Sequence, residues 1–174
     1  AEAFLYKQED TLKEIKALLN NTPDVVKALQ KLLSEESALK SELDTLQRSH
    51  AIRLKKELLA SSIERSGYRL FVLQGEEKAD IIKDIAFQLR GELQEPFVFV
   101  AATTEGARGL LSVMLSEEAV TLGLHAGNLV KEAARLIQGG GGGQPHFATA
   151  GGKDANGLPQ ALELILSRVD AHAR

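Results

Sequence analysis

Five consecutive glycines, residues 139–143, constrain the fold of this chain more than any other feature of its sequence. They lie within residues 136–157, a stretch of 22 residues with eight glycines that separates one helix-like segment from the last one. Backbone without side chains can cradle a phosphate with its N–H groups, or it can end a helix and continue as a flexible loop. The run follows a helix and lacks the pattern G-x-x-x-x-G-K-[ST], which favours the helix cap and loop.

The overall composition excludes several classes of protein. The chain has 174 residues, no cysteine, four histidines and a formal net charge of −3. Without cysteine there are no disulfides or thiolate metal sites, and no two histidines have the i, i+4 spacing of a helical metal site. No apolar run approaches the ~20 residues that span a bilayer, so we expect no membrane contact. Because the charge is near neutral, any binding of nucleic acid must use local patches.

Residues 1–66 predict helices, because they contain no glycine and a single proline. The sequence NNTPD breaks the helical pattern. We place Pro23 at the first position of a second helix. This helix is predicted to run to about Ile63, and Gly67 is predicted to be the residue that terminates it. The apolar residues of the two helices recur at helical spacing: Leu5, Leu12, Ile15 and Leu19 in the first, and Val25, Leu29, Leu32, Leu39, Leu43 and Leu46 in the second.

So long a second helix needs a partner for its apolar seam. We therefore predict a coiled-coil-like antiparallel hairpin over residues 1–66, whose uncovered remainder favours a homodimer. The chain begins with Ala in the middle of a pattern, so we expect it to be a piece of a longer polypeptide.

Residues 67–174 mix strands with helices. The strands are predicted at about residues 68–74, 96–103, 110–116 and 146–152, the second of them buried and central and the third its antiparallel neighbour. Helical spacing covers residues 76–93, 126–138 and 158–173, and Leu129, Val130, Ala133, Leu136 and Ile137 should face inward in the middle one. The fold class is therefore α+β, with a helical domain at residues 1–66 and a small mixed-sheet globular domain at residues 67–174.

Two residues of the glycine-rich stretch are candidates for chemistry. His146 follows a proline, but no nucleophile and orienting carboxylate accompany it, which favours a loop histidine with one hydrogen bond over a catalytic base. Lys153 follows Gly151 and Gly152, where it can pair locally or contact a phosphate. We predict no catalytic residue in this chain.

The only concentrated positive patch is a run near the end of the second helix. It consists of Arg48, Arg53, Lys55 and Lys56, and no acidic residue lies from Thr45 to Lys56. Such a run is either a solvated helix face or a surface for RNA phosphates.

The glycine-rich stretch and the helix before it resemble the C-terminal domain of the alanyl-tRNA synthetases, a domain of the DHH-associated type. That family pairs an "AG-x-LVK" helix start with a "GGGGG-x-P-x-x-A-x-AGG" segment. The matching positions here are Ala126, Gly127, Leu129, Val130 and Lys131, followed by residues 139–143, Pro145, Ala148, Ala150, Gly151 and Gly152. The bacterial pattern has an acidic residue and Met where this chain has His146 and Phe147. The resemblance covers essentially the whole chain.

The resemblance implies a cytoplasmic, non-catalytic arm that binds the elbow of tRNA(Ala), links aminoacylation with editing and self-associates through its helices. It places the catalytic and editing domains, with ATP and zinc, upstream of this chain. The expected RNA-binding residues are Gly139, Gly140, Gly141, Gly142, Gly143, His146, Lys153, Arg48, Arg53, Lys55 and Lys56. Two alternatives stay open: the substrate-binding domain of a DHH-type phosphodiesterase or exonuclease, and a purely structural dimerisation module.

Overall fold

A computed structural model describes residues 2–172 of the chain, so the predicted domain ends at residues 1, 173 and 174 lie outside the described residues. The chain forms two compact units, Ala1–Arg48 and Ser49–Arg174. Helices make up the first unit and a six-stranded mixed sheet with helices makes up the second, which confirms the predicted α+β class. Within the described residues, no helix is long and apolar enough to cross a membrane. The proposed domain boundary between residues 66 and 67 stays a prediction.

The first unit contains α1 (Glu2–Leu18) and residues 25–48 of α2 (Val25–Ala60). Asn20 and Asn21 turn the chain between the helices with left-handed φ values of 56° and 55°. The Asp24 carboxylate caps α2 by accepting a hydrogen bond from the Lys27 N–H at 2.9 Å. The prediction that Pro23 opens the helix was therefore wrong, because the stronger capping residue is Asp24 and Pro23 lies before it.

The leucines that form the apolar seam of α2 lie open to solvent in this unit. Leu39 is 65 % exposed and even the least exposed of the set, Leu29, is 39 % exposed. The same holds in α1, where Leu5 and Leu12 are exposed. In a single copy of the chain, exposed leucines thus recur along this unit from Leu29 to Leu46.

The second unit begins with the last turns of α2, where Ala51 and Leu58 are buried. The helix ends at Ala60 rather than at Ile63, and the next residues form a short strand that the sequence did not reveal, β1 (Ile63–Arg65). Gly67, with φ of 89°, lies in the two-residue turn that joins β1 to β2 (Tyr68–Glu76). Gly67 therefore closes a β-hairpin instead of ending the helix, because a turn this tight requires left-handed backbone.

The sheet has the strand order β1-β2-β3-β4-β6-β5. After α3 (Ala79–Glu92) come β3 (Phe97–Glu105) and β4 (Arg108–Leu115), and the last two strands are β5 (Gly139–Gly143) and β6 (Phe147–Gly152). Only β2 and β3 are parallel. Residues 97–103 of β3 are all buried, which confirms the predicted central strand and its antiparallel neighbour β4.

Helices cover both faces of the sheet. The end of α2 and α3 cover one face, while α5 (Ala126–Ala133) and α6 (Leu158–His172) cover the other. A short helix that the sequence did not predict, α4 (Glu117–Thr121), precedes α5. A 3-10 turn at residues 134–137 continues α5, and its tighter winding leaves Leu136 42 % exposed instead of inward as predicted.

A hydrogen bond fastens the end of α6 to the first long strand. The Tyr68 hydroxyl donates to the Asp170 carboxylate at 2.8 Å. Burial, followed by this hydrogen bond, raises the pKa of Tyr68 well above its ordinary value, so the phenol stays neutral and keeps donating.

Candidate nucleic-acid interface

The five glycines form an edge strand of the sheet. β5 pairs with β6 alone, and all five of its residues are exposed. The prediction of a helix cap followed by a flexible loop was wrong in its second part: Gln138 ends the helix in a left-handed conformation, with φ of 51°, but the glycines after it are extended and paired. The strand predicted around residues 146–152 is confirmed as β6, and it provides the pairing that orders the glycines.

Alternate glycines of β5 have different surroundings. A Cβ at Gly139, Gly141 or Gly143 would lie 2.1, 2.3 or 2.4 Å from a carbonyl oxygen of β6. We call these three the packed glycines. A Cβ at Gly140 or Gly142 would meet nothing within 4 Å, and we call these two the open glycines. The packed glycines are thus required for strand pairing, whereas the open glycines leave space beside the strand.

The direction of the backbone N–H and C=O groups also alternates along β5. The Gln144 N–H donates to the Phe147 carbonyl at 2.8 Å in the turn that joins β5 to β6. Because hydrogen-bonded and non-hydrogen-bonded pairs alternate along an antiparallel ladder, this bond indicates that the packed glycines direct their N–H and C=O groups to the free edge. The start of α5 lies against that edge at one end, since a Cβ at Gly127 would lie 2.8 Å from the Gly143 oxygen. The edge thus offers backbone donors at Gly139 and Gly141.

Three cationic side chains lie around this strand. The Arg108 guanidinium lies 3.3 Å from where a Cβ at Gly151 would be, and Gly151 pairs with Gly140. Lys131 is exposed and lies one turn beyond Gly127 on the same side of α5, about 6 Å further along the helix axis. Lys153 directly follows Gly152, the partner of Gly139.

None of these three cations forms an ion pair with another described residue. Of the three, only Lys153 had been predicted as a site residue. Lys131 belongs to the family motif and was detectable in that way. Arg108 had no signal in the sequence, because only the register between β4 and β6 brings it to the glycines.

His146 and Lys153 lie at opposite ends of β6. His146 is half-buried in the turn that follows β5, and its carbonyl oxygen accepts a hydrogen bond from the Leu115 N–H at 2.8 Å. No described side chain forms a hydrogen bond with its imidazole.

The predicted basic run is largely engaged in contacts of its own. Lys55 is 17 % exposed, and its ammonium donates to Gln88 and to Glu92, each at 2.8 Å, which ties the end of α2 to α3. Arg53 contacts His50, which is itself hydrogen-bonded to Glu77. These two cationic side chains are therefore already held by contacts within the protein.

The other two members of the run differ from each other. Lys56 is exposed and forms no ion pair with a described residue. Arg48 belongs to the first unit, where it pairs with Asp44 at 2.8 Å. Their roles in RNA binding stay predictions.

The globular part of the chain matches a known domain family. Residues 67–171 match the sequence profile described as the DHHA1 domain, and the chain belongs to this family. The resemblance stated from the sequence is thereby confirmed.

The most informative relatives are alanine–tRNA ligases. The chain is 47 % identical to the ligase of Porphyromonas gingivalis over 98 % of its own length, and 43 % identical to that of Parabacteroides distasonis over 97 %. It spans only about a fifth of the length of these relatives, 20 % and 19 %. Among solved structures, the C-Ala domain of the Aquifex aeolicus alanyl-tRNA synthetase has the same fold. It matches with a TM-score of 0.55 and 22 % identity, over 63 % of this chain and 98 % of that one.

Proposed function

We propose that this chain is the C-terminal tRNA-binding and assembly module of an alanine–tRNA ligase. Membership in the DHHA1 family and similarity to such ligases over nearly the whole chain support this proposal. In the proposal, the module binds the elbow of tRNA(Ala) and links aminoacylation with editing in the cytoplasm. Catalysis, ATP and zinc belong to the remaining part of the ligase, and this chain contributes no catalytic residue.

The observation that carries the proposal is the free edge of β5 with its three cations. Backbone N–H groups at Gly139 and Gly141 suit phosphate oxygens, and the open glycines allow a sugar-phosphate chain to come close. Arg108, Lys131 and Lys153 supply positive charge, and none of them forms an ion pair with a described residue. His146 is a further neighbour of the same strand.

The overall charge predicts how such an interface behaves. A chain of net charge −3 repels RNA at long range, so affinity must come from short-range contacts at this edge. We expect weak binding that follows the shape of the RNA, with a shallow salt dependence equivalent to about two to four phosphates. Lys56 and Arg53 form a second, lesser candidate surface, because Arg53 also pairs with Glu57 at 3.9 Å and Lys55 pairs with Glu92 at 2.8 Å.

The first unit supports a second role in self-association. The seam leucines of α2 are exposed from Leu29 to Leu46, and uncovered apolar surface costs free energy in water at about 25 cal/mol per Å². In this proposal a homodimer covers the seam, which accounts for the assembly part of the function.

The experiment is a salt titration of tRNA(Ala) binding to the full chain and its variants. We expect Lys131→Ala with Lys153→Ala to lower affinity about tenfold or more and to reduce the slope of log affinity against log salt by about two. Gly142→Ala tests the backbone, because the added methyl enters open space. It should weaken binding with little change in slope.

Lys83→Ala is the matched control, since Lys83 is an exposed lysine of α3 on the opposite face of the sheet. It should leave both affinity and slope nearly unchanged. If the double lysine variant behaves like this control, the edge of β5 does not bind tRNA and the proposal fails at this site.

A further inference from the structure

A small cavity lies at the Gly143 end of the glycine strand. It has a volume of about 270 Å³ and lies between the start of α5 and the end of α6. Its polar lining comes from His125, Asn128, Glu132, Arg168 and His172, and the buried side chains of Leu124 and Leu129 form apolar wall. Sites for drug-sized ligands have about 300–1,000 Å³, so this cavity suits a smaller ligand.

The cavity is contiguous with the proposed RNA edge. A Cβ at Gly127 would lie 2.8 Å from the Gly143 oxygen and, on its other side, 3.0 Å from the imidazole carbon Cε1 of His125. One glycine of α5 therefore separates the strand from the cavity wall. A nucleotide whose phosphate contacts the edge of β5 has this cavity within reach of its base.

The electrostatics of the cavity favour a neutral ligand over an anion. Its one guanidinium, on Arg168, is paired with Glu132 at 2.5 Å. The hydrogen bond from Arg168 lowers the pKa of Glu132, so this carboxylate stays ionised and balances the positive charge. The unpaired cations around β5 are better suited to bind phosphates than this cavity is.

The polar groups match the edge of a nucleobase. His125 Nδ1 accepts a hydrogen bond from the Asn128 N–H at 3.3 Å, which leaves the proton of the neutral ring on Nε2 as a donor. His172 Nδ1 donates to the Arg168 carbonyl at 2.9 Å, which leaves its Nε2 as an acceptor. The Asn128 side-chain amide, with no hydrogen-bond partner among the described residues, offers both a donor and an acceptor.

We propose that this cavity receives one unstacked nucleobase of the bound RNA. The base lies against the Leu124 and Leu129 side chains and beside the two imidazoles, and its polar edge contacts Asn128. Histidine rings and apolar walls suit the face of a base, whatever its identity. The inference rests on the proposed function, because it assigns the base of the same RNA whose phosphates contact β5.

The test uses the four nucleosides adenosine, guanosine, cytidine and uridine, which carry no phosphate, with the full chain followed by NMR. We expect at least one nucleoside to shift the signals of residues 124–129 and of His172 in a saturable way. The double variant Asn128→Ala, His172→Ala should lower that affinity about tenfold. Both side chains are exposed, so the fold should survive, and Gln160→Ala, an exposed amide of α6 outside the cavity, is the control.

The same variants are then titrated with tRNA(Ala) at several salt concentrations. We expect the double variant to bind tRNA about fivefold to tenfold more weakly with an unchanged salt slope, since a base contact neutralises no phosphate. If tRNA binds the unmodified chain while no nucleoside shifts these signals, the inference is overturned and the proposed function stands. If nucleosides enter the cavity but tRNA does not bind, the base site is supported and the proposed function fails.

Discussion

Similar apolar side chains are exposed in the first unit of this protein and buried in the second. In the first unit, Leu39 and Leu46 lie on the seam of α2 and are 65 % and 61 % exposed. In the second, Phe99 and Ile85 are completely buried between the sheet and α3. Helical spacing alone thus marks an apolar face without telling whether the same chain covers it. The second unit has an interior of its own, whereas the apolar seam of the first unit is exposed to solvent.

The largest expected effect comes from truncating a side chain that is buried in the second unit. Phe99→Ala should reduce the free energy of unfolding by about 3–5 kcal/mol, because it removes a buried ring from the central strand and leaves a cavity. Leu39→Ala, a similar truncation on the exposed seam, should change it by less than about 0.5 kcal/mol. Chemical denaturation of the two variants at low protein concentration measures both values. Equal losses would mean that the first unit also has a fixed interior.

An intermediate effect concerns the two kinds of glycine in β5. Gly141→Ala should reduce the free energy of unfolding by about 1–3 kcal/mol, because its methyl group would collide with the Thr149 carbonyl and force β5 away from β6. Gly142→Ala adds the same methyl group into open space and should cost less than about 0.5 kcal/mol.

Thermal unfolding of the two alanine variants provides the comparison, and amide exchange in β6 locates the change. The pairing of β5 with β6 predicts faster exchange in Gly141→Ala only. Two variants of equal stability would contradict the alternation of packed and open glycines.

The smallest expected effect on stability comes from substitutions on the exposed seam of the first unit. Leu39→Glu with Leu46→Glu should hardly alter unfolding, yet it should weaken self-association, because two charges would be buried in the contact between seams. Sedimentation equilibrium of the full chain at high micromolar concentration measures the association. Ser34→Glu, on the opposite side of α2, is the matched control and should associate like the unmodified chain. A chain that is monomeric before any substitution would show that the seam does not drive assembly.

Much of the second unit was predictable because its signals are local. The continuous apolar run at residues 96–103 gave the central strand, and the turn at Gly106 gave its neighbour. Ends and short elements were predicted less well: β1 has three residues, too few for periodicity, and Gly67 was assigned to a helix end although it serves a hairpin turn. Glycine is suited to both positions, and only the pairing of β1 with β2 distinguishes them.

The candidate site was likewise predictable from the sequence only in part. The sequence identified the glycines and Lys153 by composition and by family resemblance, but it gave no means to find Arg108. That side chain reaches Gly151 through a register between β4 and β6, which are separated along the chain by α4 and α5. Lys55, for which RNA binding stays a prediction, pairs with Glu92, a residue of α3 that is distant in sequence.

The sequence by itself determined the α+β class, the family and the apolar seam of α2, because each depends on residue type and short-range spacing. Only the tertiary structure decided that five glycines form an ordered edge strand. Polyglycine has no side chains to favour any conformation, so its backbone is ordered only by the hydrogen bonds that β6 supplies. The same pairing separates glycines that must pack from glycines that stay open, and so decides which of them a ligand can approach.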